Sequence, residues 1–158
     1  MLSFYQFPSL IQRGARGVLM AIAYLCVLIA AFMPYIFVGY AKFSVKDYDN
    51  SSPREFLEKL QGRAKRANFA QLNSFEAFPA FAAGVIIAHL AGVPQFQITV
   101  LAILFIIFRV IYGFCYILDN SNLRSTVWFG GFFCVLYLLF SAIMHSLHNN
   151  IPFIILSS

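Results

Sequence analysis

The stretch AFPAFAAGVIIAHLAGVPQFQITVLAILFIIF, from Ala77 to Phe108, contains no Asp, Glu, Lys or Arg. A helix rises about 1.5 Å per residue, so the stretch is too long for one crossing of ~30 Å of hydrocarbon. Gly92-Val93-Pro94 lies near its middle, and Gly followed by Pro is a turn signal. The stretch therefore reads as two membrane helices joined by a short, uncharged hairpin. Working outward with a requirement of about 20 apolar residues per crossing, four spans emerge, approximately Val18–Tyr40, Phe69–Ala91, Phe96–Leu118 and Thr126–Leu147. The expected fold is an all-α membrane protein, a four-transmembrane-helix bundle forming one domain over residues 1–158. The apolar tail Ile151–Leu156 is too short to cross again.

Composition agrees with this reading. The chain is 61% hydrophobic and only 11% charged, whereas a soluble domain places about a quarter of its residues in charged types. The position of the charges matters more than the net +5, because Lys and Arg are concentrated between Lys42 and Arg66, which is a topology signal. Asp47, Asp49, Glu55 and Glu58 interrupt that segment, so it lacks the continuous positive face that a nucleic-acid backbone would require. Cytoplasmic loops are enriched in Lys and Arg, which puts the first loop, about 41–65, and the third, with Arg124, in the cytoplasm. Both termini then lie outside it, with only Arg13 and Arg16 on that side. The uncharged run from Val18 to Ala41 exceeds a signal-peptide core of ~7–15 residues and reads as a retained span. Cys26, Cys115 and Cys134 show no paired spacing and read as buried small hydrophobes.

Within the first loop, Ser51-Ser52-Pro53-Arg54-Glu55 carries a Ser N-cap candidate, a Pro at the first helical position and an acid in the first turn. The second helix is expected to begin there, with Glu55 and Lys59 at i,i+4 spacing.

Ionisable groups within spans are costly, at least ~2.5–3.5 kcal/mol each at the helix centre, and call for a partner or a function. Asn73 and Glu76 in the second span and Arg109 in the third stand out, with Arg66 and Arg124 near the cytoplasmic ends. At about 100° per residue, Arg66, Asn73 and Glu76 share one face of the second helix, and Arg109, Tyr112 and Tyr116 share one face of the third. One reading makes Glu76 and Arg109 a buried ion pair that glues helices together. The other makes the two stripes a site for a soluble anion with carboxylates, because guanidinium groups form forked pairs with them. His145 and His148 stand at i,i+3 spacing without an accompanying acid or Cys, so no metal site is expected. Tyr35, Tyr40 and Trp128 read as lipid-facing or interfacial belt residues.

The second span reads Arg66-Ala67-Asn68-Phe69-Ala70-Gln71-Leu72-Asn73-Ser74-Phe75-Glu76-Ala77-Phe78-Pro79. This resembles the MAPEG pattern Arg-Ala-x-x-Ala-x-x-Asn-x-x-Glu-x-Phe-Pro, and Arg109-x-x-Tyr112-x-x-x-Tyr116, Leu123-Arg124-Ser125 and Trp128 extend the likeness. It is closer to uncharacterised bacterial members than to the named eicosanoid synthases. The resemblance implies a homotrimer in a bacterial inner membrane that binds glutathione between subunits on the cytoplasmic side. It implies that Arg66, Asn73, Glu76, Arg109, Tyr112 and Tyr116 hold glutathione, and that Arg124, aided by Ser125, stabilises the thiolate for a transferase or peroxidase reaction on a lipophilic electrophile. Phe69 stands where the synthases have a glutathione-contacting Arg, the Tyr116 to Arg124 spacing differs from theirs, and Lys42 is the nearest equivalent of their basic first-span contact. The alternative function is a catalytically silent membrane protein with a lipid, assembly or partner-binding role.

Overall fold

The computed structural model describes residues 7–46 and 48–156, with side chains over 12–46 and 48–149. Asp47 lies outside the described residues. Five helices follow in order: α1 Phe7–Phe43, α2 Pro53–Lys59, α3 Gly62–Leu90, α4 Gln95–Ile117 and α5 Ser121–Leu156. The short α2 packs on α3, and the four long helices form the bundle, α3 touching α1, α4 and α5. Three of them are long and apolar enough to cross a membrane, over Gln12–Phe43, Gln95–Ile117 and Ser121–Asn149. The expected second span, on α3, is not among these three, because polar residues such as Gln71, Asn73, Glu76 and His89 dilute it.

The core is built from small and medium residues that let helices approach closely. Ala23, Cys26 and Ala30 of α1 meet Phe81, Val85 and Ala88 of α3, Ile98, Ala102 and Phe105 of α4, and Cys134, Val135, Leu138 and Ala142 of α5. Phe81 stacks on Phe105 with ring centroids 3.9 Å apart. Gly113 lies so close to the Phe37 ring that a Cβ there would collide with it. All three cysteines are free and buried. Outside this core the bundle is apolar as well, with Leu25, Leu28, Phe32 and Ile36 of α1 and Phe133, Leu136 and Phe140 of α5 exposed. Such a surface suits lipid rather than water.

The hairpin between α3 and α4 has the expected place and a clear mechanism. The Val93 N–H donates to Ala88 O at 3.0 Å and the Gly92 N–H to His89 O at 3.1 Å, which is a Schellman cap, and Gly92 supplies its positive φ of 81°. Pro94 then opens α4. The α4–α5 turn repeats this cap with Asn120 N–H on Cys115 O at 2.9 Å, but here Asp119 takes φ 64°. Asn120 then accepts the Leu123 N–H at 3.1 Å and caps α5.

The first loop departs from expectation. The helix that starts at Pro53 stops at Lys59, and α3 begins anew at Gly62. The reason is Leu60, which turns inward to pack with Ala41, Ala64 and Ala67, a placement that a straight helix would not allow. Ser52 makes no side-chain cap, and among the described residues Glu55 and Lys59 form no ion pair. The tail Ile151–Leu156 continues α5 rather than forming a separate segment.

Candidate functional site

Arg109 organises the site. It is 4% exposed on α4, and a buried cation requires acceptors. Its NH1 donates to Asn73 Oδ1 at 2.9 Å and its NH2 to Ser74 Oγ at 3.2 Å, while the guanidinium lies over the Tyr112 ring at 4.5 Å. Ser74 in turn donates to Ala70 O at 2.7 Å, and Asn73 Nδ2 donates to Glu76 Oε2 at 3.2 Å. Glu76 and Arg109 therefore do not form the direct ion pair that one reading expected, because Asn73 is interposed and orients the exposed carboxylate. The Asn73 amide suits this relay, since it accepts from the cation with its oxygen and donates to the anion with its nitrogen.

A cavity of about 200 Å³ opens beside this relay, lined by Asn73, Glu76, Arg109 and Trp128 with an apolar wall that includes Phe105 and Val135. A glycine of α5 lets the helices close beside it. A Cβ on Gly130 would come within 2.7 Å of the Phe108 ring, whereas one on Gly131 would make only ordinary contact, 3.7 Å from Phe108 Cβ, so the bare backbone at Gly130 lets α5 approach α4 here.

Arg124 stands in a second, smaller cavity of about 140 Å³ with Tyr112, Ser125, Trp128 and Phe129. Its guanidinium lies over the Tyr116 ring at 4.4 Å, and Tyr116 meets Tyr112 edge to face at 5.3 Å. The two arginines and two tyrosines thus form one continuous cation and aromatic ladder along α4 and the start of α5. The Ser125 hydroxyl donates to Ser121 O at 3.2 Å, so its proton is already used. Trp128, expected as a belt residue, instead borders both cavities and stacks on Phe132 at 5.2 Å.

Arg66 shares the α3 face with Asn73 but does not join the relay. Its Nε and NH2 donate to Ile117 O, each at 3.3 Å, and NH1 lies 3.5 Å from Asp119 Oδ2. It ties α3 to the end of α4, where a cation is favoured by the free carbonyls. Phe69 leans on Tyr116 with ring centroids 6.2 Å apart. Lys42 lies over the Tyr48 ring at 4.7 Å, away from the relay. His145 Nδ1 lies 3.1 Å from Ser141 O within its own helix. Sequence reasoning missed Ser74 and Gly130. Ser74 was findable as the neighbour of Asn73 inside an apolar helix, whereas Gly130 carried no signal until α4 was placed against it.

Residues 19–144 match the MAPEG family. Neither the curated proteins nor the solved structures yield a match.

Proposed function

The chain belongs to the MAPEG family, and from that premise we propose that it is an integral membrane, glutathione-dependent transferase or peroxidase acting on lipophilic electrophiles. The observation that carries this reading is the relay from buried Arg109 through Asn73 to the exposed Glu76 carboxylate at the rim of an apolar cavity. A relay needed only for packing has no reason to end on an exposed acid.

The residues fit the tripeptide's charges. Glu76 accepts an ammonium group, and Arg109, with only two of its five N–H groups engaged by side chains, donates to a carboxylate alongside Tyr112 and Tyr116. Arg66 of α3 joins them by leaving Ile117 O and Asp119, which hold it in the ligand-free chain. When bound, glutathione supplies a thiol that becomes a nucleophile as the thiolate. Arg124, held over Tyr116 in its own cavity, favours that anion, with Ser125 beside it. A free thiol has a pKa near 8.5, and a two-unit fall corresponds to ~2.7 kcal/mol of preferential thiolate stabilisation. The apolar wall of Phe105, Phe132 and Val135 excludes water and admits a lipophilic acceptor.

In this reading α3 is the fourth crossing. Its 29 residues span about 43 Å at 1.5 Å per residue, and its polar groups face the cavity and its neighbours rather than lipid. Three copies assemble so that the exposed Glu76 lies at a subunit interface. The basic 42–66 end faces the cytoplasm of a bacterial inner membrane, with both termini on the other side.

The test is calorimetric titration of glutathione into the detergent-purified protein, with thiolate absorbance and light scattering for mass. Saturable binding that Glu76→Ala abolishes, with thiolate absorbance lost in Arg124→Ala, supports the reading. Absence of binding to the wild type refutes it. A second reading, a catalytically silent member of the family, draws on one observation: Arg66 is committed to Asp119 and Ile117, and Phe69 stands where the synthases carry a glutathione-contacting Arg. It predicts that Arg124→Ala changes no ligand signal while Asn73 and Arg109 variants still destabilise the fold.

A further inference from the structure

Arg66 reaches from α3 to the end of α4 and engages all three of its nitrogens there. Nε and NH2 both donate to Ile117 O at 3.3 Å, and NH1 lies 3.5 Å from Asp119 Oδ2. Ile117 is the last residue of α4, so its carbonyl is one of those that a helix end leaves without an intrahelical partner.

Asp119 is unfavourable at its position on two local counts. It takes φ 64°, where only glycine avoids a steric cost, and the equivalent position of the α3–α4 turn is Gly92. Its carboxylate also stands just past a helix C-terminus, where the partial negative charge of the free carbonyls repels an anion. Backbone strain at such a residue points to a role outside local folding, and the Arg66 contact supplies one: among the described residues, Arg66 and Asp119 form the one ion pair. The pair is open to a ligand as well. The Asp119 side chain is 68% exposed and that of Arg66 26%, so a soluble anion can reach the guanidinium while the carboxylate swings into water. The turn they hold lies between Tyr116 and Arg124, whose side chains stack at 4.4 Å, and Phe69 of α3 leans on the same Tyr116.

We propose that Asp119 is a positioning residue that competes with the anionic ligand for Arg66. In the ligand-free chain its carboxylate stands in for a carboxylate of glutathione, and binding displaces it and frees the turn between Tyr116 and Arg124. This inference rests on the glutathione reading of the site. One charge-assisted contact is exchanged for another, so the latch keeps Arg66 in place without a ligand and lowers the affinity below what a free guanidinium would give. The commitment of Arg66 that favours a silent member thereby becomes a control on ligand capture.

The experiment is calorimetric titration of glutathione into the detergent-purified full chain, comparing wild type, Asp119→Asn, Arg66→Gln, the double variant and Glu58→Gln. Asn also takes a positive φ readily, so Asp119→Asn keeps the turn and removes the charge. It is expected to tighten glutathione binding about two- to fivefold, because an exposed ion pair no longer has to break. In the Arg66→Gln background the same substitution is expected to change affinity by less than about twofold, or to restore nothing where Arg66→Gln abolishes binding. Glu58→Gln removes an equal charge from the exposed side of α2 with no ion pair to break, and is expected to stay within about twofold of wild type. Carbon-detected NMR supplies a second readout: at saturation the wild-type Asp119 carboxyl signal should move to that of ligand-free Arg66→Gln. Wild-type binding that Asp119→Asn leaves unchanged or weakens overturns the latch and leaves the glutathione reading standing. Equal tightening by Asp119→Asn without Arg66, equal tightening by Glu58→Gln, or an unmoved Asp119 signal does the same. Absence of binding to both the wild type and Asp119→Asn overturns the reading and the latch together.

Discussion

Asn73→Leu is expected to destabilise the protein more than Arg109→Met, although the second removes the charge. The Leu substitution leaves the Arg109 guanidinium, 4% exposed, without the acceptor at 2.9 Å. A hydrogen bond to a charged group contributes about 1.5–3 kcal/mol. Deleting the sole partner of a buried ion costs about 3–5 kcal/mol. Because Ser74 Oγ and the Tyr112 face remain, the lower range of about 1.5–3 kcal/mol applies. In Arg109→Met the stem volume is retained, Asn73 keeps Glu76 and Ser74 keeps Ala70 O. The hydrogen bonds to Asn73 and Ser74 are lost together with the buried charge whose desolvation they offset, so the net loss is about that of the cation and ring contact, about 1 kcal/mol. The double variant should resemble Arg109→Met, so the two costs do not add. The coupling should exceed the ~0.6 kcal/mol average of hydrogen bonds between membrane helices. Reversible unfolding in mixed detergent, followed by fluorescence of the one tryptophan, Trp128, measures all four proteins. Additive costs, or a larger cost for Arg109→Met, would refute the argument that a buried cation depends on Asn73.

Gly113→Ala should cost about 1–3 kcal/mol by forcing the Phe37 ring aside, and Phe37→Leu should recover most of it in the same unfolding assay. Gly92→Ala, at φ 81°, should lower stability by about 1–2 kcal/mol through left-handed strain. Asp119→Gly relieves the same strain at φ 64° but loses an exposed ion pair of about 0–1 kcal/mol, so thermal melts should show a net change near zero or a small gain. In the first loop, the Ser51 hydroxyl at 2.6 Å and then its N–H at 2.8 Å hold the Asp49 carboxyl below its usual range. Its folded pKa is depressed, so the stabilisation is present above the unfolded value near 3.9 and is lost as pH falls through the folded one. Carbon-detected NMR titration should show Ser51→Ala moving Asp49 back up.

The sequence by itself determined the long apolar helices, the hairpin at Gly92 and the polar positions Asn73, Glu76 and Arg109, because each rests on local chemistry. Uncharged length dictates a span, Gly with Pro dictates a turn, and a polar residue within apolar surroundings is conspicuous wherever it falls. Even the shared helix faces followed from 3.6 residues per turn. Which polar group met which was decided by tertiary structure. Asn73 and not Glu76 reaches Arg109, since the reach of an Asn side chain against α4 depends on how closely the helices pack. Arg66 turned to the end of α4 because the Asp119 turn and its free carbonyl lie nearer than the relay. Trp128 became a wall between two cavities only when α5 closed on α4 with Gly130 against the Phe108 ring. The break at Leu60 was likewise a tertiary event, since a strong helix start at Pro53 yielded to burial against Ala41, Ala64 and Ala67. Periodicity describes one helix at a time, and each of these outcomes depends on the distance between two.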